Sequence, residues 1–156
     1  IGTNYRLTEM QSAIGRIQLK NLSQMNHLRE RNSLILRDEL KDISYLKLPY
    51  PPKNILHAWY KFYIFINPRS LKDDWSRDRI IKEISNEGYP CFSGGCGEIY
   101  LEKGIKDLGF GPKKRLPNAK LLAETSLMFC VHHTIKSEEM KKYAQVIKKI
   151  ILRAAR

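Results

Sequence analysis

The run His57-Ala-Trp-Tyr-Lys-Phe-Tyr-Ile-Phe-Ile66 constrains this chain more than any other stretch. It is aromatic and β-branched almost throughout, and Asn67-Pro68 ends it, so it reads as a β-strand. A period of two puts Tyr60, Phe62, Ile64 and Ile66 on one face and Trp59, Lys61, Tyr63 and Phe65 on the other. Both faces are largely apolar, which predicts a central strand covered on both sides.

The rest of the chain supplies partners for that strand. Ile43 to Leu48 is a second strand, stopped by Pro49, Pro51 and Pro52. Trp75 to Asn86 is a helix with Ile80, Ile81 and Ile84 inward, capped at Asp74 and closed by Gly88. Tyr89 to Ser93 is a short strand. The turn after it, Gly94-Gly-Cys-Gly97, lacks the Gly-Lys-Ser/Thr of a phosphate-binding loop and does not fit Gly-x-Gly-x-x-Gly. Glu98 to Phe110 is partly helical, Pro117 opens a short helix, and Ser126 to Val131 is a buried strand. Ser137 caps a last helix whose apolar face is Met140, Tyr143, Ala144, Ile147, Ile150 and Ile151. The expected fold is an α/β sandwich: a long helical arm over residues 1–41, then a domain over residues 42–156. That domain is a small, mainly antiparallel sheet with helices packed on one side.

The arm begins with Gly2-Thr-Asn-Tyr-Arg-Leu-Thr8. Thr8 and Gln11 have the spacing of a capping box, and Met10, Ala13, Ile14 and Ile17 follow at helical spacing. Ser23 and Asn26 weaken the middle, so the reading places a bend or break between a helix ending near Lys20 and an amphipathic stretch from about Ser23 to Leu40. Asn4 and Arg6 lie beside a helix N-terminus, where N–H groups and the helix dipole favour an anion. Two readings of that corner stand: a phosphate or carboxylate site, or an ordinary capped helix start.

Net charge is +12, but Lys and Arg are spread along every segment, and Lys113-Lys-Arg115 and Lys141-Lys142 are the densest clusters. A basic surface that attracts anionic small molecules fits this better than sequence-specific nucleic-acid binding. The 156 residues include no apolar run near the ~20 that a membrane helix needs. Cys91, Cys96 and Cys130 form no disulfide framework, which suits a reducing, cytoplasmic setting. With His132 and His133 they do not match a zinc spacing, so no metal site is expected.

The pattern Gly2-x-Asn4-Tyr5-Arg6-x-Thr8-Glu9-x-x-x-Ala13-Ile14-Gly15-x-x-Gln18-Leu19 resembles the stretch that follows the cofactor lysine in sugar-nucleotide aminotransferases of the DegT/StrS type. The strand His57 to Ile66, Arg77-Asp78, Gly88-Tyr89-Pro90, Leu116-Pro117-x-Ala119 and Glu124-Thr-Ser-Leu127 extend the resemblance in order along nearly the whole chain. The resemblance implies a fold-type I enzyme dependent on pyridoxal phosphate (PLP), of which this is the C-terminal small domain with its linking helix. The large PLP domain and the Schiff-base lysine would then lie upstream. It implies a homodimer with a shared active site, in which Asn4 reaches the PLP phosphate of the neighbouring subunit; Arg6 is a candidate for the same neighbourhood, with a structural ion pair an equal reading of that residue. It also points Tyr60 toward the sugar-nucleotide pocket, although a core aromatic is an equal reading of that residue. His57, Ser93 and Tyr100 are further candidates for substrate contact. Cys91-Phe-Ser-Gly-Gly-Cys-Gly-Glu-Ile-Tyr100 departs from the Tyr/His/Pro-rich substrate loop of many relatives.

The implied reaction moves an amino group from an amino acid, glutamate being the expected donor, to a nucleotide-linked ketosugar. Lys20, Lys41, Lys47 and Lys61 are outside the family's lysine motif, so this chain alone is expected to be inactive. Two alternatives of other kinds are a free-standing basic α/β module that binds nucleic acid or an acidic partner, and a degenerate family member without aminotransferase activity.

Overall fold

The computed structural model describes residues 6–156. A single helix, α1 (Glu9–Leu40), leads into a four-stranded antiparallel sheet of β1 (Leu46–Lys47), β2 (Phe62–Ile66), β3 (Cys91–Phe92) and β4 (Ser126–Phe129). The helices α2 (Arg77–Asn86), α3 (Lys103–Asp107), α4 (Pro117–Thr125) and α5 (Ser137–Ala154) complete the chain. The strand order is β1-β2-β4-β3. Phe62 faces Phe129 and Ile64 faces Leu127 across β2 and β4, and Cys91 faces Phe129 across β3 and β4.

The predicted break in α1 is absent. Thr8 and Gln11 form the capping box, with Gln11 N–H donating to Thr8 Oγ1 at 3.2 Å and Thr8 N–H to Gln11 Oε1 at 3.0 Å. Ser and Asn each cost a helix less than about 1 kcal/mol, too little to interrupt a run otherwise rich in Gln, Leu, Lys, Arg and Glu. Asn26 also turns its side chain to the helix surface, where it accepts from Arg29 at 3.3 Å.

One core holds the layers together. Leu36 and Leu40 of α1, Ile80 and Ile84 of α2, and Met140, Tyr143, Ile147 and Ile151 of α5 bury against Phe62, Ile64, Leu127 and Phe129. Each large apolar side chain buried in this way contributes about 1.5–3 kcal/mol. The buried Asn32 of α1 ties it to the loop before α5, its Nδ2 donating to the His132 carbonyl at 2.9 Å, while the buried Ser33 Oγ donates to the Glu30 carbonyl within α1 itself.

Three sequence expectations change here. First, β2 begins at Phe62, not His57, because Trp59 takes a left-handed backbone (φ 46) and turns the chain. That conformation is strained for a bulky residue. Burial of the Trp59 ring against Phe62 (5.8 Å between centroids) and Tyr50 (5.2 Å) offsets the strain. Second, β2 is covered on one face only. Phe62, Ile64 and Ile66 are buried, whereas Tyr63 is 37% exposed and Phe65 is half-buried. Third, two caps move. Ser76, not Asp74, caps α2 by accepting from Arg79 N–H, while the Asp74 carboxylate pairs with the Arg79 guanidinium at 2.7 Å. Ser137 lies inside α5, after the extended Lys136.

Gly88 ends α2 as expected, with φ 84. Its N–H bonds the Ser85 carbonyl and that of Tyr89 bonds the Ile84 carbonyl, the paired bonds of a Schellman motif.

Candidate functional site

The uncovered face of the sheet collects most of the predicted contact residues. Alternation places Tyr63, Met128 and Phe92 in one row across β2, β4 and β3, all pointing away from the core. The β2–β4 register continued by one residue puts Lys61 opposite Cys130. Lys61 Nζ donates to Cys130 Sγ at 3.5 Å and lies 5.3 Å from the centre of the Tyr60 ring and 5.8 Å from that of Phe92. Tyr60 is 77% exposed, so the core-aromatic reading fails. The turn at Trp59 carries Tyr60 out of the buried row.

Ser93 enters the same face through its backbone. Its carbonyl accepts from Ser126 Oγ, and the next residue, Gly94, has φ 106. A Cβ at Gly94 would sit 3.0 Å from Tyr63 Cε1, so only glycine lets the chain leave β3 this close to the Tyr63 ring. His57 Nδ1 accepts from Trp59 N–H at 3.0 Å, with the two rings 4.4 Å apart. His57 also lines two clefts. One, of about 490 Å³, runs along α1 between Leu22, His27 and Leu56. The other, of about 310 Å³, lies between Tyr50, Lys61 and Tyr63 on the open face.

The corner is electropositive. Burial, then the neighbouring His133, Arg29 and Lys61, holds His132 below the usual imidazole range. Cations beside exposed aromatic rings suit an anionic ligand that carries a ring.

Tyr100 stands apart from this corner. Its hydroxyl donates to Glu98 Oε1 and accepts from Leu116 N–H at 3.0 Å. Arg115 closes on both oxygens of the same carboxylate. The Arg115 hydrogen bonds, then that of Tyr100, hold the Glu98 carboxyl down at about 2. Both ends of the 98–116 lobe are thereby joined. Gly97 seats the lobe on α4, where a Cβ would lie 2.8 Å from Ala123 Cα. Tyr100 is therefore a structural clasp, with its hydroxyl used in both directions.

The arm carries the other half of the prediction. Asn4 lies outside the described residues. Arg6 lies two residues before the Thr8 cap, at the exposed start of α1. The capping box satisfies Thr8 and Gln11, leaving the N–H groups of Glu9 and Met10 for an acceptor outside the helix. Sequence reasoning passed over Lys61, Cys130 and His132 as members of one corner. The signal was the alternation of the two central strands, once their register was known.

Residues 1–150 match the DegT/DnrJ/EryC1/StrS aminotransferase family. The chain belongs to that family. An aminotransferase from Psychrobacter cryohalolentis is 41% identical and superposes with a TM-score of 0.90 over 99% of this chain and 41% of its own. The fold also recurs in Helicobacter pylori PseC, an aminotransferase involved in the biosynthesis of pseudoaminic acid (21% identity, TM-score 0.85, 98% of this chain and 40% of that one). It recurs again in the E. coli GDP-4-keto-6-deoxy-D-mannose-3-dehydratase with bound hydrated PLP (24% identity, TM-score 0.74, 96% and 36%). The chain thus spans about two fifths of the length of these family structures. The family is PLP-dependent, and no described helix is long and apolar enough to cross a membrane.

Proposed function

We propose that this chain is the C-terminal portion of a PLP-dependent aminotransferase that transfers an amino group from an amino acid, with glutamate as donor, to a nucleotide-linked ketosugar. The observation that carries the reading is the superposition of 99% of this chain on two fifths of an aminotransferase at 41% identity. The bare stripe on α1 supports it, because Met10, Ile14 and Ile17 are 78%, 60% and 58% exposed. An apolar face of this kind is expected where another domain packs.

The residues at the start of α1 fit PLP at its phosphate. The N–H groups of Glu9 and Met10, which the capping box does not use, lie at the positive end of the helix dipole, with Arg6 two residues before the cap and the Glu9 carboxylate in the same first turn. In this reading Arg6 and Asn4 hold the phosphate of a neighbouring subunit's cofactor, within a cytoplasmic homodimer. PLP, when bound, supplies the electron sink for chemistry at the substrate amine. The open corner then has a separate task. The Lys61 ammonium meets the anionic part of the nucleotide-linked sugar, and Tyr60 and Phe92 offer ring faces beside it.

No lysine of this chain is assigned to covalent attachment of PLP. Treatment of the chain with PLP and borohydride, followed by peptide mapping, is expected to give no dominant modified lysine. Capture at one mapped lysine, with transaminase activity, would sink the proposal. The coding sequence on the N-terminal side supplies the second test. A large domain with a Schiff-base lysine supports the reading, and that domain without its lysine points to a degenerate member. Tight nucleic-acid binding with a steep salt slope would favour the basic-module alternative.

A further inference from the structure

Among the described residues, Trp59 alone combines a side chain with a left-handed backbone (φ 46). A bulky residue stays in that conformation only where its surroundings hold it. Two sets of contacts do so. The buried ring lies 5.2 Å from Tyr50 and 5.8 Å from Phe62. The backbone N–H donates to His57 Nδ1 at 3.0 Å, which closes the turn from 57 to 59. Ring packing fixes the side chain, and the His57 bond fixes the backbone.

That bond depends on a lone pair. An imidazole nitrogen accepts only while the ring is neutral, here with its proton on Nε2. His57 is exposed, so its ring exchanges protons with solvent. A proton on Nδ1 turns the acceptor into a second donor facing the Trp59 N–H. Titratable and charged groups face the ring from each element around it. Across one cleft α1 presents His27 and Glu30. Across the other, β2 and the residues leading into it present Tyr63 and Lys61, and the Pro49–Pro51 loop presents Tyr50. The Arg37 guanidinium lies over the Tyr50 ring, 4.6 Å from its centre. Glu30 and Lys61 act on the His57 ring with opposite sign, and His27 is the one neighbour of the same residue type.

We propose that His57 is a positioning residue for the open corner: its neutral ring holds the Trp59 turn, and its protonation releases that turn and with it Tyr60 and Lys61. Those two residues follow Trp59 directly, so the exposed Tyr60 ring and the Lys61 ammonium take their places from it. From Phe62 onward the chain is paired with β4, and the release stops there. The corner is therefore assembled at neutral pH and loosens as pH falls. That this corner meets a substrate rests on the function proposed above. The His57 latch does not, and it is tested with no ligand present.

The chain is labelled with 15N. At pH 8 the imidazole spectrum of His57 is expected to show the proton on Nε2; a proton on Nδ1 overturns the proposal without reference to any variant. Solvent exchange of the Trp59 amide is then followed by NMR from about pH 8 to about pH 5, the range in which imidazole takes up its proton. Its protection, taken against the intrinsic exchange rate at each pH, is expected to fall at least about 5-fold, while the amides of β2 keep theirs. His57→Asn places a non-titrating oxygen where Nδ1 stood. It is expected to keep the Trp59 amide protected at both ends of the range, with His27 still present, and His57→Ala to lose that protection at both. Constant Trp59 protection in the unmodified chain overturns the proposal, and so does the same pH dependence in His57→Asn. Neither result bears on the aminotransferase reading, and loss of that reading leaves these outcomes unchanged.

Discussion

Glu98 shows how one carboxylate organises a lobe. It accepts from Arg115 twice and from Tyr100 once, and its side chain is only 7% exposed. A carboxyl held below its unfolded value contributes stability that is fully present above that unfolded value, about 4.3, and is lost as pH falls through the folded one. The clasp should therefore hold at neutral pH and weaken between about 4.3 and its folded value of about 2. The protection factors of residues 98–116, taken against the intrinsic exchange rate at each pH, are expected to fall in that window. In Glu98→Gln the loss of protection is expected already at pH 7, with little further change in protection on acidification. A lobe whose exchange is the same in both proteins at pH 7 would remove Glu98 from this role.

At the scale of elements, α1 is one unbroken helix that divides into two parts by burial, close to where Ser23 and Asn26 suggest a break. From Met25 onward it is covered by α5 and by the loops at both ends of the sheet, and Asn32 and Ser33 are fully buried. The stretch Glu9–Gln24 is solvent-facing almost throughout, and Gly15 within it has nothing within 4 Å of where a Cβ would stand. Gly15→Ala is thus expected to stabilise that half of the helix by about 1 kcal/mol, read as slower amide exchange over residues 9–24. Slower exchange is not expected over 29–40, which the core already protects.

The elements that were legible beforehand were those with a repeating apolar pattern. The inward faces of α2 and α5 and the row Phe62, Ile64, Ile66 could be read directly, as could the Gly88 stop. The open side of β2 could not be read, because Tyr63 and Phe65 are as apolar as a covered face. Nor could the start of β2, since His57, Trp59 and Tyr60 have strand-like chemistry and only the packing of Trp59 on Tyr50 and Phe62 reveals the turn. The bonds of Tyr100 were not legible for a similar reason. Its partners Glu98, Arg115 and Leu116 meet only after the lobe closes.

Taken whole, the molecule is a finished core with two unfinished surfaces. One is the α1 stripe of Met10, Ile14 and Ile17, and the other is the sheet face with Tyr60, Tyr63 and Phe92. The net charge of +12 opposes association between copies, but salt screens it within a Debye length of about 8 Å at physiological ionic strength. Self-association of the chain should then strengthen as salt rises. Light scattering at increasing protein concentration and salt is expected to show growing mass, and Met10→Gln/Ile14→Gln/Ile17→Gln is expected to suppress it. A monodisperse monomer at high salt would show that the stripe is not adhesive.

The uncovered half of α1 is, mechanically, a cantilever. It is fixed near Met25 and free of the core for sixteen residues (Glu9–Gln24), about 24 Å at 1.5 Å per residue. A tilt of about 10° at the fixed end carries the tip sideways by about 4 Å, more than the length of a hydrogen bond. The core of this chain can stiffen the helix but cannot aim it. Whatever rests on Met10, Ile14 and Ile17 sets where Arg6 points, so the reach of the tip is a property of the assembly rather than of these residues alone.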